Sequence, residues 1–222
     1  MKVDLHVHTT HSPDSLTRCE DVVLWAQRRN MGAVAITDHD SIEGALTVRK
    51  MSPIPIIVGE EVRTQHGEII GLFLSEAISP HLTARETVCQ IHGQGGLVYI
   101  PHPLDRARQG SALGFGALME IIEFIDIIEV LNARVHFPAD NACAARLAEC
   151  YGLSQGAGSD AHQASEIGRA FVEMPAFTEA TSFMRSLDQG QISGHASSLL
   201  VHVGSTCARL AKSLMAMAPT LR

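Results

Sequence analysis

The chain has 222 residues, a formal net charge of −7 at pH 7 and an isoelectric point near 5.9. One α/β domain over residues 1–222 accounts for that length, and the acidic balance argues against a basic nucleic-acid-binding face. With 45% apolar and 18% charged residues the chain is not of disordered composition, and no stretch approaches the ~20 apolar residues that span a bilayer.

In chain order, short apolar runs predict strands at Lys2–Val7, Ala33–Thr37, Ile54–Glu60, Ile69–Leu74, Leu97–Ile100, Ile125–Leu131, Ser154–Ala157, Ala170–Met174 and Gln191–His195. Helical periodicity falls between them at Cys19–Asn30, Ala84–His92, Ala117–Phe124, Ala139–Tyr151 and Thr178–Leu187, with a terminal helix over about 197–217. Glycines after Asn30-Met31, His92 and Tyr151 mark helix ends. Strands alternating with helices predict parallel β-α units closing into a barrel. Two arrangements are open for Ile69–Leu74: a parallel strand of that pattern, or a strand antiparallel to the one before it through Gln65-His66-Gly67.

Twelve histidines are present, and the informative ones follow predicted strands. Side chains two apart on a strand share a face, so His6 and His8 can grip one ion, as can Asp160 and His162. One such pair is commonplace. Barrel strand ends converge on one mouth, however, so His39, Glu61, His102 and the Asp160/His162 pair are all expected to face His6 and His8. A mixture of imidazole and carboxylate suits Zn, Mn or Fe better than Ca.

The motifs D-L-H-V-H-T-T-H-S at 4–12, A-I-T-D-H-D at 35–40, V-G-E-E-V at 58–62, Y-I-P-H-P at 99–103 and G-S-D-A-H at 158–162 resemble those of the polymerase-and-histidinol-phosphatase (PHP) superfamily of metal-dependent phosphoesterases. The resemblance runs from residue 1 to about 195. It implies a distorted (β/α)7 barrel and two to three divalent ions (Zn, Mn or Fe). Carried over residue by residue, His6, His8, Glu61 and Asp160 would hold the first ion, Glu61 would bridge to a second held by His102, and His39, His162 and Asp14 would hold the third. Two positions depart from the commonest family pattern. Ser12-Pro13-Asp14-Ser15 carries an extra residue, which leaves His11 as the alternative to Asp14; Glu68 stands where many relatives have histidine, and is expected to serve as a carboxylate ligand of the second ion.

The implied reaction is hydrolysis of a small phosphomonoester, or a nucleotide or short oligonucleotide phosphate, by a hydroxide bridging metal ions. A net positive cluster favours phosphate over a neutral amide. Arg106, Arg108 and Arg134, in loops at the expected mouth, are candidate phosphate ligands together with Asn132, and Arg18 is a further one. Asp38, Asp40 or a metal-bound water are the candidate proton donors, although Asp38 is better suited to orient a ligand histidine. The expected partner is a small phosphorylated substrate; a nucleic-acid end is less favoured, and no membrane is expected.

Amidohydrolase-type C–N hydrolysis is the competing reaction. It typically needs a lysine between the metals, and none of Lys2, Lys50 or Lys212 ends a suitable strand. A non-catalytic metal-binding regulatory domain would be expected to lose ligands, and here the set is nearly complete. Five cysteines without a C-x-x-C pair, and Met1-Lys2 leading directly into a strand, suggest reduced thiols, no signal peptide and a cytoplasmic protein.

Overall fold

The computed structural model describes residues 1–108, 110–197 and 200–217; side chains of 200–203, 211 and 215–217 fall outside that description, His202 among them. The elements are β1 (Lys2–Val7), α1 (Cys19–Arg28), β2 (Met31–Ile36), α2 (Glu43–Met51), β3 (Ile56–Thr64), β4 (Gly67–Leu72), α3 (Ala84–Gly93), β5 (Leu97–Ile100), α4 (Phe115–Ile121), β6 (Ile127–Asn132), α5 (Pro138–Tyr151), β7 (Ser154–Gly158), β8 (Ala170–Glu173), α6 (Ala180–Leu187), β9 (Gln191–Gly194) and α7 (Leu200–Met217). Local chemistry sets many boundaries. Thr83 and Glu86 form a reciprocal capping box at α3, and α5 starts on Pro138 and stops at Gly152 in the left-handed conformation (φ 66°).

Helix α2 escaped the sequence reading. Its nine residues carry Gly44, Thr47 and Val48, and no side chain caps its start, so propensity is weak. Tertiary packing makes it: Gly44, Ala45 and Val48 are buried, and a Cβ on Gly44 would stand 2.0 Å from Asp38 Oδ2.

The sheet runs in the order β7-β6-β5-β4-β3-β2-β1-β8-β9. It is parallel except that β4 is antiparallel to β3 and β5, and β8 is antiparallel to β1 and β9. It curls into a nearly closed barrel of mixed α/β architecture. Seven strands, β1 to β7, form the wall, and β8 and β9 continue the sheet beyond β1. No helix separates β3 from β4, so within β1 to β7 the repeat is broken once, and the short Gln65-His66-Gly67 link forms the antiparallel of the two arrangements open to it. The seam between β7 and β1 is closed by Val7 pairing with Ala161, with His8 N–H donating to Ala161 O at 2.9 Å. Asp4, buried at this seam, accepts from Ser159 N (2.9 Å) and Gly168 N (2.8 Å). Burial pushes its carboxyl up to about 6 against those hydrogen bonds.

Two apolar layers sandwich the wall. Val3, Leu5, Ala33, Ala35, Ile70, Leu72, Tyr99 and Ile127 fill the barrel interior over Phe183 and Leu187 of α6. Val7, Val34, Ile36, Val62 and Ile128 pack outward against Val22, Ala45, Val88 and Ala144 of the helices. Leu5 faces in and Val7 faces out, although strict alternation would put them on one face. The β1–β2 register shifts between Asp4 and Val7, and this irregularity re-aims the end of β1. The change of face matters for the two histidines that flank Val7.

Candidate metal centre

His6 and His8 leave β1 beside one another, with Nε2 atoms 3.0 Å apart. Glu61 Oε2 lies 3.5 and 3.3 Å from them, and Asp160 Oδ1 3.7 and 3.5 Å. Atoms sharing an ion at ~2.1 Å stand roughly 3.0–3.4 Å from one another, so this quartet has the size of a coordination shell. On the other side of Glu61, Oε1 is 3.2 Å from His102 Nε2, which is 3.9 Å from Glu68 Oε2. Asp14 Oδ1 lies 3.3 Å from His162 Nε2 and 3.6 Å from His39 Nε2. His39 Nδ1 in turn faces Glu61 Oε2 at 3.2 Å. The nine residues read from the sequence as ligands are thus gathered at one end of the barrel.

Three hydrogen bonds decide which face of each ring is available. His6 Nδ1 lies 3.1 Å from Glu129 Oε1, a carboxylate that only accepts. His162 Nδ1 lies 2.9 Å from the carbonyl of Asp160. His8 Nδ1 lies 3.0 Å from Ser12 Oγ, whose own proton goes to Asp38 Oδ1 at 2.6 Å. Each Nδ1 therefore donates, and each Nε2 turns a lone pair toward the cluster. Two nitrogen lone pairs and two carboxylates facing one another repel unless a cation lies among them. Asp14 Oδ1, Asp160 Oδ1 and His39 Nδ1 are buried there with no hydrogen-bond partner. These residues fit divalent metal.

Electrostatics agree. Burial opposes charge on His6, but Asp160, Glu61 and Glu129 outweigh it and hold its pKa well above the usual imidazole value. His39 is pushed up to about 10, against burial, by Glu61, Asp14 and Glu68. His8 falls to about 3 through burial and repulsion from His162. Glu61 and Asp160 resist the upward pull of burial and lie well below the carboxylate range, through His6 for Glu61 and Arg108 for Asp160. Glu68 is raised by burial and by Glu61. A proton shared among these groups stands where a metal cation would place its charge.

The topology explains each position. Antiparallel pairing sets Glu68 across from Arg63 at the mouth end of β3, so the first turn of β4 reaches a site otherwise built from strand C-termini. His102 and Asp160 stand in left-handed backbone (φ 31° and 53°) just past β5 and β7, conformations uncommon for such residues and typical of functional sites.

Other expectations divide. Asn132 Nδ2 donates to Glu129 Oε2 (2.9 Å) and Asp160 Oδ2 (3.2 Å). Arg108 pairs with Asp105 and with Asp160 Oδ2. Arg134 is buried, with Nη2 donating to Ser205 Oγ at 2.7 Å. Arg106 is not brought in: it binds Asp140 at 2.8 Å and lies over the Phe137 ring, lining a separate hollow. Arg18 pairs with Asp21 on the surface. Asp38 accepts from Thr9 N, Thr9 Oγ1 and Ser12 Oγ, so it sits behind the ligands as an orienting group. Asp40 accepts from Arg63 N at 2.8 Å, tying its loop to β3. Among the described residues neither carboxylate pairs with a histidine. His11 is exposed, and it is Asp14 that faces His39 and His162.

The sequence reading passed over Glu129, a lone acid inside an apolar strand, which was its visible signal. It also passed over Arg63 and Arg209. With Arg108 they line a cleft of about 380 Å³ above Asp14, His39, Glu68 and His162.

An uncharacterised Methanocaldococcus jannaschii protein is 36% identical over 175 residues, 78% of this chain and 70% of its own. A two-domain Bacteroides vulgatus protein, described as containing a predicted PHP-like metal-dependent phosphoesterase, superposes with TM-score 0.70 at 19% identity, over 88% of this chain and 65% of that one. An amidohydrolase from Chromobacterium violaceum superposes with TM-score 0.60 at 19% identity, over 76% and 90%. At such identities these two structures speak for the fold alone. The model of the PHP domain matches residues 4–145 and that of the PHP-associated region residues 138–192, and the chain therefore belongs to the PHP domain family.

Proposed function

We propose that the protein is a hydrolase of phosphoric esters, acting with two to three divalent ions on a small phosphomonoester or on a nucleotide or short oligonucleotide phosphate. The observation that carries this reading is a cluster of converging lone pairs and carboxylates beneath a cleft walled by Arg63, Arg108 and Arg209. His6, His8, Glu61 and Asp160 would hold the first ion, Glu61, His102 and Glu68 the second, and His39, His162 and Asp14 the third. Bound there, divalent metal supplies Lewis acidity and lowers the pKa of water to ~7 in favourable sites. The imidazole–carboxylate mixture suits Zn, Mn or Fe.

The chain's own contribution is orientation. Glu129, Asp38 with Ser12, and the Asp160 carbonyl keep the three imidazoles turned with Nε2 inward. Arg108, paired with Asp160 and Asp105, holds a planar cation at the cleft, where its fork matches phosphoryl oxygens. The likeness to an amidohydrolase keeps C–N hydrolysis as the second reading. Against it, Lys212 reaches the backbone of Thr10 and Ser12, away from the inner quartet.

The test joins metal analysis of the purified protein to a hydrolysis screen with an aryl phosphate, a nucleotide panel and an amide panel. Phosphate release that follows metal content is the expected result. A metal-loaded protein that cleaves amides and no phosphoester overturns the proposal.

A further inference from the structure

Among its described side chains, the terminal helix α7 buries Ala208 and otherwise meets the site through polar contacts. Leu210 and Leu214 are exposed, while Ser205, Arg209 and Lys212, spaced four and three apart, present one face to the site. Arg209 Nη2 donates to Asp14 Oδ2 at 2.8 Å. Lys212 Nζ donates to the carbonyls of Thr10 (2.7 Å) and Ser12 (2.6 Å). Both residues therefore grip the one loop that carries Asp14, from some 200 residues away in sequence. The helix lies close over the segment after β7: a Cβ on Gly204 would meet the end of the Gln163 side chain, Nε2, at 2.0 Å.

Ser15 Oγ ties the loop's backbone to His8 O and His162 O, while the Asp14 carboxylate itself is gripped from α7. This loop is the segment with the extra residue, and Asp14 must turn Oδ1 toward His39 and His162 while Oδ2 points the other way. Arg209 holds Oδ2 and leaves Oδ1 without a hydrogen bond, aimed into the cluster. We infer that α7 is a clamp that completes the third metal position, with Arg209 and Lys212 as positioning residues for Asp14. The inference rests on the reading that Asp14 holds an ion. The charges that interrupt the apolar run of this helix are then the reason the helix lies where it does.

The test uses the full-length chain loaded with Mn2+, counted by elemental analysis after dialysis and followed by electron paramagnetic resonance. Wild type should retain three equivalents. The double variant Arg209→Ala/Lys212→Ala should retain two, with the third bound about tenfold or more weakly and the first two unchanged. Arg209→Lys/Lys212→Arg, which keeps both cations, should retain the third equivalent and its resonance signature. If the double variant does not fold, the single variants Arg209→Gln and Lys212→Met read the same quantity. Retention of the third ion within twofold of wild type by these variants overturns the clamp alone. A wild type that holds only two overturns the three-ion reading and the clamp with it.

Discussion

Replacing Glu129 with glutamine changes one atom and should disturb both stability and metal binding. Its carboxylate accepts from four donors: His6 Nδ1 (3.1 Å) and Tyr99 OH (2.9 Å) on Oε1, His102 N (2.7 Å) and Asn132 Nδ2 (2.9 Å) on Oε2. A glutamine amide has one oxygen, so whichever way it turns, two donors meet its NH2 group. Hydrogen bonds to a charged group contribute about 1.5–3 kcal/mol each, which sets the loss near 3–6 kcal/mol. Tyr99 can rotate its hydroxyl to accept, recovering part of this, and the expected destabilisation is about 3 kcal/mol. With the amide turned toward His6, the ring is driven to the other tautomer, which puts a proton on the nitrogen that faces the cluster. Loss of such a supporting carboxylate typically weakens metal binding about 10–100-fold. Urea unfolding of the metal-free protein and Zn2+ titration against a competing chelator measure the two effects separately. A variant within about 1 kcal/mol of wild type in the first and within twofold in the second would falsify the tautomer argument.

Gly158→Ala should lower stability without altering charge, because the new methyl would lie 2.3 Å from His6 Cβ and 2.8 Å from Glu129 Oε1. An overpacking cost of about 2 kcal/mol lowers Tm by some 5 °C, and an unchanged Tm sinks the packing claim. Glu60, buried beside the Ile78 amide, is pushed by burial from 4.5 to about 7. Between those values the folded state holds a proton that the unfolded state releases, so stability falls as pH rises from 4.5 through 7, by up to about 3 kcal/mol. Glu60→Gln should flatten that slope in thermal melts, and a slope identical to wild type would count against it. His39, with a pKa raised from 6.5 to about 10, stabilises the metal-free protein fully below pH 6.5 and loses that contribution as pH rises through 10. Loading at pH 7 should release the His39 proton and bind more tightly as pH rises. An indicator dye in weak buffer reads this directly, and release of less than one proton contradicts it.

Much of this site was legible one strand at a time. The H-x-H of β1, the D-A-H after β7 and the lone His39, Glu61 and His102 announce themselves because strand ends in a barrel face a common mouth, and a period of two needs no partner to be read. The short Gln65-His66-Gly67 link left β4 open to parallel or antiparallel pairing, and the fold took the antiparallel one. Other features depend on which segments become neighbours. Arg106 looked like a phosphate ligand because it follows His102, yet Asp140, 34 residues on, draws it away. Asp38 and Asp40 stand out in sequence only as carboxylates beside His39, and the fold alone shows that Thr9 and Ser12 engage the first and the backbone of β3 the second.

The amino-acid sequence by itself determined the alternation of strands and helices, the types of ligand and their grouping at strand ends, since these follow from local periodicity and donor chemistry. Tertiary structure alone decided the rest. The irregular pairing of β1 with β2 separates the faces of Leu5 and Val7, because register is a property of two strands. Glu129 became the hub for His6, Tyr99, His102 and Asn132 only when β1, β5 and β6 were brought together. The hold of α7 on the Asp14 loop joins the two ends of the chain, a contact that no local pattern encodes.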